Sequence, residues 1–126
     1  MLGDVRYDIK DTVNSIKRRQ KFRPFAPAIL EEYYDKYFEG YGNEYMQYTV
    51  QAKHDYKSVT HVDGTARVQI VRADSTSALR PILEEYYERT GVPMLLNTSL
   101  NIKGEPMVNT RTDAERFQTN YGVRVF

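Results

Sequence analysis

Five cationic side chains lie within seven consecutive residues near the start of the chain, from Lys17 to Arg23. Ammonium and guanidinium groups stabilise phosphate oxygens, and one guanidinium can donate two parallel hydrogen bonds to a phosphate. Arg23 is followed by a proline and flanked by two phenylalanines, so we expect its position to be better fixed than that of Lys21. The segment indicates a phosphate clamp, or alternatively a solvated helix end whose cations complement the helix dipole.

A second polar segment, residues 60–67, has the sequence Thr-His-Val-Asp-Gly-Thr-Ala-Arg. The Asp-Gly pair is typical of a tight turn, so one interpretation is a hairpin with incidental polar residues. The other is a loop that brings His61 and Arg67 to one pocket, with Arg67 on the strand face opposite Val68 and Ile70. The chain has two histidines and no cysteine, which predicts that the protein holds no transition metal.

A third polar segment, residues 97–106, directly follows the apolar run Met94-Leu95-Leu96. Hydroxyl and amide side chains at the carboxyl end of a buried strand suit a ligand crevice in an open α/β sheet. Asn97, Ser99 and Asn101 could bond a phosphate or a small planar amide, although a polar turn is the alternative. The chain has neither a Walker motif nor a Gly-x-Gly-x-x-Gly before a helix, so a bound nucleotide would not use those glycine-rich loops.

Length and composition restrict the class of protein. The 126 residues fall in the usual size range of one domain, so we expect residues 1–126 to form a single domain. Eighteen Lys and Arg against 17 Asp and Glu argue against a protein that coats polyanions. The lack of cysteine excludes a disulfide framework. No stretch has the apolar length of a membrane span or a signal-peptide core, so we expect a cytoplasmic location without membrane association.

Periodicity and breakers predict helices that alternate with strands. The predicted helices are 8–19, Glu31–Glu39, Leu79–Arg89 and Thr112–Asn120. The predicted strands are Ala26–Leu30, Glu44–Ala52, Val59–Val62, Ala66–Val71, Met94–Leu96 and Val123–Phe126. This order favours an α/β or α+β sheet with helices packed on it.

The hexapeptide Ile-Leu-Glu-Glu-Tyr-Tyr occurs twice, at 29–34 and at 82–87. An internal duplication is one interpretation, but the residues around the two copies do not match. A coincidence between two amphipathic segments is therefore favoured.

Taken together, the three polar segments resemble one known family. Residues 16–27, 60–69 and 90–106 resemble three ordered motifs in the C-terminal domain of the O-carbamoyltransferases, which include the nodulation-factor (NodU-type) and antibiotic enzymes. The resemblance implies a YrdC-like α/β fold, with a twisted mixed sheet, flanking helices and an open basic cavity. It also implies binding of ATP with Mg²⁺ and of carbamoyl phosphate. Carbamoyl-adenylate is the product expected, with release of pyrophosphate and phosphate.

The resemblance assigns roles to particular residues. The catalytic residues implied are Lys17, Arg23 and Arg67, which would contact the phosphates of the two substrates. The substrate-binding residues implied are Arg19, His61, Asn97, Ser99 and Asn101. No metal ligand is implied within this chain.

The family's actin-like ATPase-fold domain, which carries its metal-binding histidines and the acceptor site, is not among these residues. We therefore expect a separate actin-like transferase subunit as partner, and an incomplete enzyme without it. An apolar face left by the absent half would also favour a homodimer. The alternatives are a non-catalytic module that binds nucleotide or RNA, and an assembly protein derived from an enzyme fragment.

Overall fold

A computed structural model describes residues 1–18, 25–99, 107–122 and 124. The strands are β1 (Leu2–Gly3), β2 (Ala26–Leu30), β3 (Phe38–Glu39), β4 (Thr49–Ala52), β5 (Thr65–Arg67), β6 (Gln69–Val71) and β7 (Met94–Asn97). The helices are α1 (Lys10–Lys17), a 3₁₀ turn (Glu31–Tyr33), α2 (Tyr34–Tyr37), α3 (Leu79–Thr90) and α4 (Arg111–Tyr121).

The strands form two sheets. The first has the order β1-β7-β2-β6, in which β2 and β6 run parallel and the other pairs are antiparallel. The second is the antiparallel sheet β3-β4-β5. Val68 alone separates β5 from β6, so the chain passes there from one sheet to the other. The predicted α/β class, with a mixed sheet and flanking helices, is confirmed.

The first sheet is buried on both faces. Ile29 and Leu96 face a core that includes Val13 of α1 and Val50 of β4. On the opposite face, Ala28, Leu30, Val71 and Leu95 pack against Leu83 of α3. A central strand buried on both faces needs a continuous apolar run, which explains why β2 was predicted with its observed bounds.

The proline within β2 costs the sheet no hydrogen bond. The Leu30 amide donates to the Pro93 carbonyl, so the alternate amides of Ala28 and Ala26 point the same way, toward β7. The backbone nitrogen of residue 27 therefore faces β6, and pairing with β6 begins only at Ala28. Pro27 therefore stands where no N–H is required.

Three predicted helices are confirmed, with small shifts at their ends. α1 ends at Lys17 because Arg18 adopts a left-handed conformation, with φ of 55°. α3 ends one residue later than predicted, and Gly91 closes it with φ of 75°. α4 begins with a reciprocal pair of hydrogen bonds between Thr110 and Asp113.

The predictions between residues 31 and 62 are wrong in part. The predicted helix Glu31–Glu39 is a 3₁₀ turn and one turn of α-helix, and its last two residues form β3. The predicted strand Glu44–Ala52 is a strand only from Thr49, because Met46 has a left-handed backbone with φ of 56°. Left-handed conformations do not continue a strand.

The predicted hairpin around Asp63-Gly64 forms its turn but not its first strand. The turn is closed by the His61 amide, which donates to the Thr65 carbonyl at 2.7 Å. Residues 56–60 instead form a turn in which the Tyr56 carbonyl accepts from two amides. β5 pairs with β4. The predicted strand Val123–Phe126 lies largely outside the described residues.

The two copies of the hexapeptide adopt different structures. The first begins at the end of β2 and continues through the 3₁₀ turn, whereas the second lies entirely within α3. Tertiary packing thus overrides local propensity for the same six residues. The interpretation as a coincidence agrees with this difference.

The carboxylate of Asp4 joins the start of the chain to α3. It accepts hydrogen bonds from the Arg6 guanidinium and from the Tyr86 hydroxyl, the latter at 2.6 Å. The hydrogen bonds from Arg6, more than the other contacts, lower the pKa of Asp4 from 3.8 to about 2. Burial, followed by the hydrogen bond to Asp4, raises the pKa of Tyr86 to about 12.

Replacing this carboxylate should reduce stability in a pH-dependent way. A depressed carboxyl pKa stabilises the fold above the unfolded value and loses that effect as the pH falls from about 4 to 2. Because the pair is partly solvated, we expect Asp4→Asn to lower the free energy of unfolding at pH 7 by about 1 kcal/mol. The difference from wild type should shrink toward pH 2 in urea titrations. The exposed Asp55→Asn is the control, and an unchanged difference at low pH would contradict the assignment.

Ser58 holds together two segments that are distant in sequence. Its side chain is fully buried; the hydroxyl accepts from the Ile9 amide and donates to the Tyr7 carbonyl, both at 2.8 Å. Its carbonyl accepts from the Phe25 amide at 2.9 Å. One residue thus fixes both the entry to α1 and the entry to β2.

We expect Ser58→Ala to destabilise the fold by about 1–3 kcal/mol, because the Ile9 amide and the Tyr7 carbonyl lose their bonds to the hydroxyl and keep the 3.0 Å bond to each other. Urea unfolding followed by circular dichroism measures this loss. Ser15→Ala, at an exposed position of α1, is the matched control and should be neutral or slightly stabilising. Equal effects of the two substitutions would refute the role of Ser58.

Candidate functional site

Lys17 and Ser99 are in direct contact. Lys17 is the last residue of α1 and shares its buried face with Val13, one turn earlier. The Lys17 side chain is only 6% exposed. Its Nζ donates to the Ser99 carbonyl at 2.7 Å and lies 3.2 Å from the Ser99 Oγ. The fold therefore places an ammonium group beside a hydroxyl at the end of β7.

Asn97, two residues before Ser99, makes a second contact. Its Nδ2 donates to Oε1 of Gln69 at 2.8 Å. Asn97 ends β7 and Gln69 begins β6, and β2 lies between these two strands. Adjacent strands are about 4.8 Å apart, so β6 and β7 are separated by about 10 Å.

The two amides can meet because β2 carries only small side chains at this point. Asn97 is in register with Ala26, and Gln69 is in register with Ala28. Residues in register point to the same face of a sheet. The methyl groups of Ala26 and Ala28 therefore lie beneath the Asn97–Gln69 hydrogen bond. Larger side chains at these two positions would fill the space that the amides occupy.

Arg67 lies two residues before Gln69, at the end of β5. Ala66 and Val68 are buried, whereas Arg67 is exposed, which agrees with the predicted position of Arg67 opposite Val68. The guanidinium Nε and Nη2 lie 3.3 and 3.2 Å from the Met46 carbonyl. Within the described part of the chain, no carboxylate forms an ion pair with Arg67.

Two hydrogen-bonded pairs and one further cation make up five side chains, which we call the polar row: Lys17, Ser99, Asn97, Gln69 and Arg67. Hydrogen bonds join Lys17 to Ser99 and Asn97 to Gln69. The remaining links are steps of two residues along the chain. The row carries two cations, one hydroxyl and two amides, a set that suits an anionic ligand with amide-like groups.

Gln69 is the member of the row that sequence reasoning missed. The signal was present, because the alternation that places Arg67 opposite Val68 and Ile70 also places Gln69 on the side of Arg67. Its contact with Asn97 depends on the strand order, which the sequence alone does not specify.

Of the other predicted site residues, the structure describes His61, which does not extend this row. His61 lies beside the Asp63-Gly64 turn, and among the described residues no hydrogen bond joins its ring to the polar row. The neighbouring carboxyl of Asp63 has a lowered pKa, chiefly because the Thr65 hydroxyl donates to it. Arg19, Arg23 and Asn101 lie outside the described residues.

A cavity of about 290 Å³ meets the polar row at Gln69, which forms part of its wall. Arg72 and Glu44, whose Nε and Oε2 are 3.0 Å apart, stand between it and a neighbouring cavity of about 320 Å³. These two cavities carry both signs of charge. The expected basic cavity depends in part on Arg19 and Arg23, which the structure does not describe.

Two further observations concern metal and membrane binding. Over residues 1–18, 25–99 and 107–122, no group of three His, Cys, Asp or Glu side chains is arranged to hold a metal ion. In the same residues, every helix is too short or too polar to cross a membrane.

Comparison with known proteins gives consistent matches over the chain. Nodulation protein NolNO of Sinorhizobium fredii is 40% identical over 114 residues, covering 83% of this chain and 17% of that protein. The 3'-hydroxymethylcephem-O-carbamoyltransferase of Amycolatopsis lactamdurans is 37% identical over 117 residues, covering 90% of this chain and 22% of that enzyme. Nodulation protein U of Rhizobium tropici is 39% identical over 101 residues, covering 76% of this chain and 18% of that protein.

The chain thus spans about a fifth of the length of these curated relatives. The family model described as "Carbamoyltransferase C-terminus" matches residues 1–126. The resemblance carried by the three polar segments is confirmed, and the chain belongs to the family of carbamoyltransferase C-terminal domains.

Proposed function

We propose that this domain binds ATP and carbamoyl phosphate and forms carbamoyl-adenylate for the O-carbamoylation of a hydroxyl acceptor. The observation that carries the proposal is the polar row, which gathers two cations and three neutral hydrogen-bonding groups from four parts of the chain. Membership of a carbamoyltransferase family supports the reaction class.

The polar row suits the charges of the two substrates. ATP and carbamoyl phosphate both present phosphate oxygens, and charge-assisted hydrogen bonds from Lys and Arg are the strong contacts for such groups. In the proposal, Lys17 and Arg67 contact these oxygens, and Ser99 donates its hydroxyl proton to one of them. Arg67 would exchange its contact with the neutral Met46 carbonyl for one with a charged phosphate oxygen.

The proposed reaction balances with one water molecule. Water cleaves carbamoyl phosphate to carbamate and phosphate. A carbamate oxygen then attacks the α-phosphorus of ATP, the bond to the β-phosphate oxygen breaks, and pyrophosphate leaves with that electron pair. Fixed cations near the phosphates stabilise the charge that develops on the leaving group. Magnesium is proposed to arrive with ATP, because it keeps most of its waters and prefers phosphate oxygens.

The acceptor step is proposed to require more protein than this chain. The cephem relative is named for O-carbamoylation of a hydroxymethyl group, and this chain covers 22% of that enzyme. We propose that an actin-like ATPase-fold domain or subunit supplies the acceptor site. A cytoplasmic location belongs to the same proposal, since ATP and carbamoyl phosphate are cytoplasmic metabolites. That residues 1–126 form one domain stays a prediction, and so does a homodimer.

A single-stranded RNA-binding module is the second candidate, and one surface favours it. Tyr41, Tyr45 and Tyr48 are 73%, 69% and 47% exposed and lie in the segment whose Met46 carbonyl contacts Arg67. Exposed aromatic rings beside a guanidinium can stack unpaired bases. An affinity for RNA that exceeds that for ATP and falls steeply with salt would favour this module over the enzyme.

Incubation of the purified chain with Mg-ATP and carbamoyl phosphate should release pyrophosphate and form carbamoyl-adenylate. Omission of carbamoyl phosphate should abolish both products. We expect Lys17→Met and Arg67→Met each to lower the rate by about 30–100-fold, because each removes a charged hydrogen bond to phosphate. Coupled pyrophosphate detection and mass spectrometry of the adenylate provide the measurements.

The matched controls are Lys57→Met and Arg111→Met, which remove the same charges at exposed positions outside the polar row. They should leave the rate within twofold of wild type, and thermal unfolding should show all four variants folded. Folded protein that releases no pyrophosphate, or that releases it without carbamoyl phosphate, would overturn the proposed half-reaction.

A further inference from the structure

In the hydrogen bond between Asn97 and Gln69, the Asn97 amide is the donor. An asparagine side chain carries one acceptor oxygen and two donor hydrogens. Gln69 Oε1 takes a donor hydrogen of Asn97 at 2.8 Å, so the Nδ2 side of the amide faces β6. The Asn97 Oδ1 is therefore turned away from Gln69 and, among the described residues, accepts from no donor.

The backbone of Gln69 is held from two sides, so its side chain starts from a fixed point in the sheet. Its backbone pairs with Ala28 of β2. On its other side, Gln69 forms an isolated parallel bridge with Asn43. The Ile70 amide next to it donates to the Asn43 carbonyl at 3.1 Å. A fixed partner lowers the entropy that Asn97 would lose on binding a ligand.

A cavity reaches the Gln69 end of this pair. Gln69 forms part of the wall of the 290 Å³ cavity, and Asn97 is only half-buried. Ser99, in contact with the Lys17 ammonium, follows Asn97 by two residues. The acceptor oxygen therefore belongs to the same end of β7 as the residue that contacts the cationic group.

We propose that Gln69 is a positioning residue which orients the Asn97 Oδ1 to accept an N–H of the carbamoyl group of carbamoyl phosphate. This inference rests on the proposed function and adds the specificity for the carbamoyl group over other acyl groups. The phosphate group of carbamoyl phosphate binds the cations, and the amino group of its carbamoyl part donates to Asn97. An acyl phosphate without that amino group leaves the Asn97 oxygen unpaired.

Acetyl phosphate is the discriminating probe, because it has a methyl group in place of the amino group and carries the same phosphate. Isothermal titration of the wild-type chain should give about tenfold tighter binding of carbamoyl phosphate than of acetyl phosphate. Gln69→Met removes the acceptor for Asn97 at similar volume. It should reduce the ratio of the two dissociation constants to about 1–2, chiefly by weakening the binding of carbamoyl phosphate.

A double-mutant cycle distinguishes positioning from a general structural effect. If Gln69 acts through Asn97, the Gln69→Met/Asn97→Ala double variant should show the same ratio as Asn97→Ala alone. Gln47→Met is the matched control, because it removes the hydrogen bond from Asn43 Nδ2 to Gln47 Oε1 at 2.9 Å on the surface. Gln47→Met should keep the wild-type ratio.

A second variant keeps the test decisive if Gln69→Met fails to fold. Ala26→Val adds bulk beneath the amide pair and removes no polar group, and it should also lower the ratio toward 1. Equal affinity of the wild type for both acyl phosphates would overturn the inference while phosphate binding stands. Binding of neither acyl phosphate would overturn the proposed function, and the inference with it. Retention of the tenfold ratio in folded Gln69→Met or Ala26→Val would overturn the inference alone.

Discussion

The arrangement of the polar row depends on the small side chains that β2 presents toward α3. β2 lies between β7 and β6, and its residues Ala26 and Ala28 leave room for Asn97 and Gln69 to meet above it. Further along the same face, Leu30 packs against Leu83 of α3. One strand therefore supports polar contacts at its start and hydrophobic packing at its end. This division follows directly from the order of small and large side chains along the five residues of β2.

The buried lysine imposes a second constraint. Removing an ammonium group from water costs free energy unless hydrogen bonds replace the lost hydration. Lys17 obtains such bonds from Ser99, 82 residues later, so α1 must end where β7 ends. Ser58 fixes the segment before α1, and the left-handed Arg18 stops the helix directly after the lysine. Segments that are distant in sequence therefore together fix the position of the Lys17 ammonium group.

The sequence predicted best those elements whose signals are local and agree with one another. β2, α3 and β7 combine an apolar pattern with adjacent glycine or proline signals, and they lie where predicted. Residues 31–48 gave a helical pattern and then an alternating one, but β3 forms by pairing with β4 and the left-handed Met46 interrupts the alternation. The repeated hexapeptide illustrates the limit, because its two copies differ only in what surrounds them. The charged and hydroxyl members of the polar row carry recognisable chemistry and were predicted as site residues. Gln69 was not, because its importance lies in a partner reached across β2.

In the proposed site, the position of Gln69 also explains why a neutral residue can matter for the binding of anions. Cations attract every phosphate, so Lys17 and Arg67 by themselves distinguish poorly between substrates that share a phosphate. Selection among acyl phosphates needs a group that contacts the part in which they differ, and an unpaired buried acceptor penalises the wrong ligand more than a made bond rewards the right one. An amide whose orientation is free offers a donor or an acceptor equally and therefore selects neither. By holding one end of the Asn97 amide, Gln69 converts an ambivalent group into an acceptor, and specificity then arises from the strand order rather than from an additional charge.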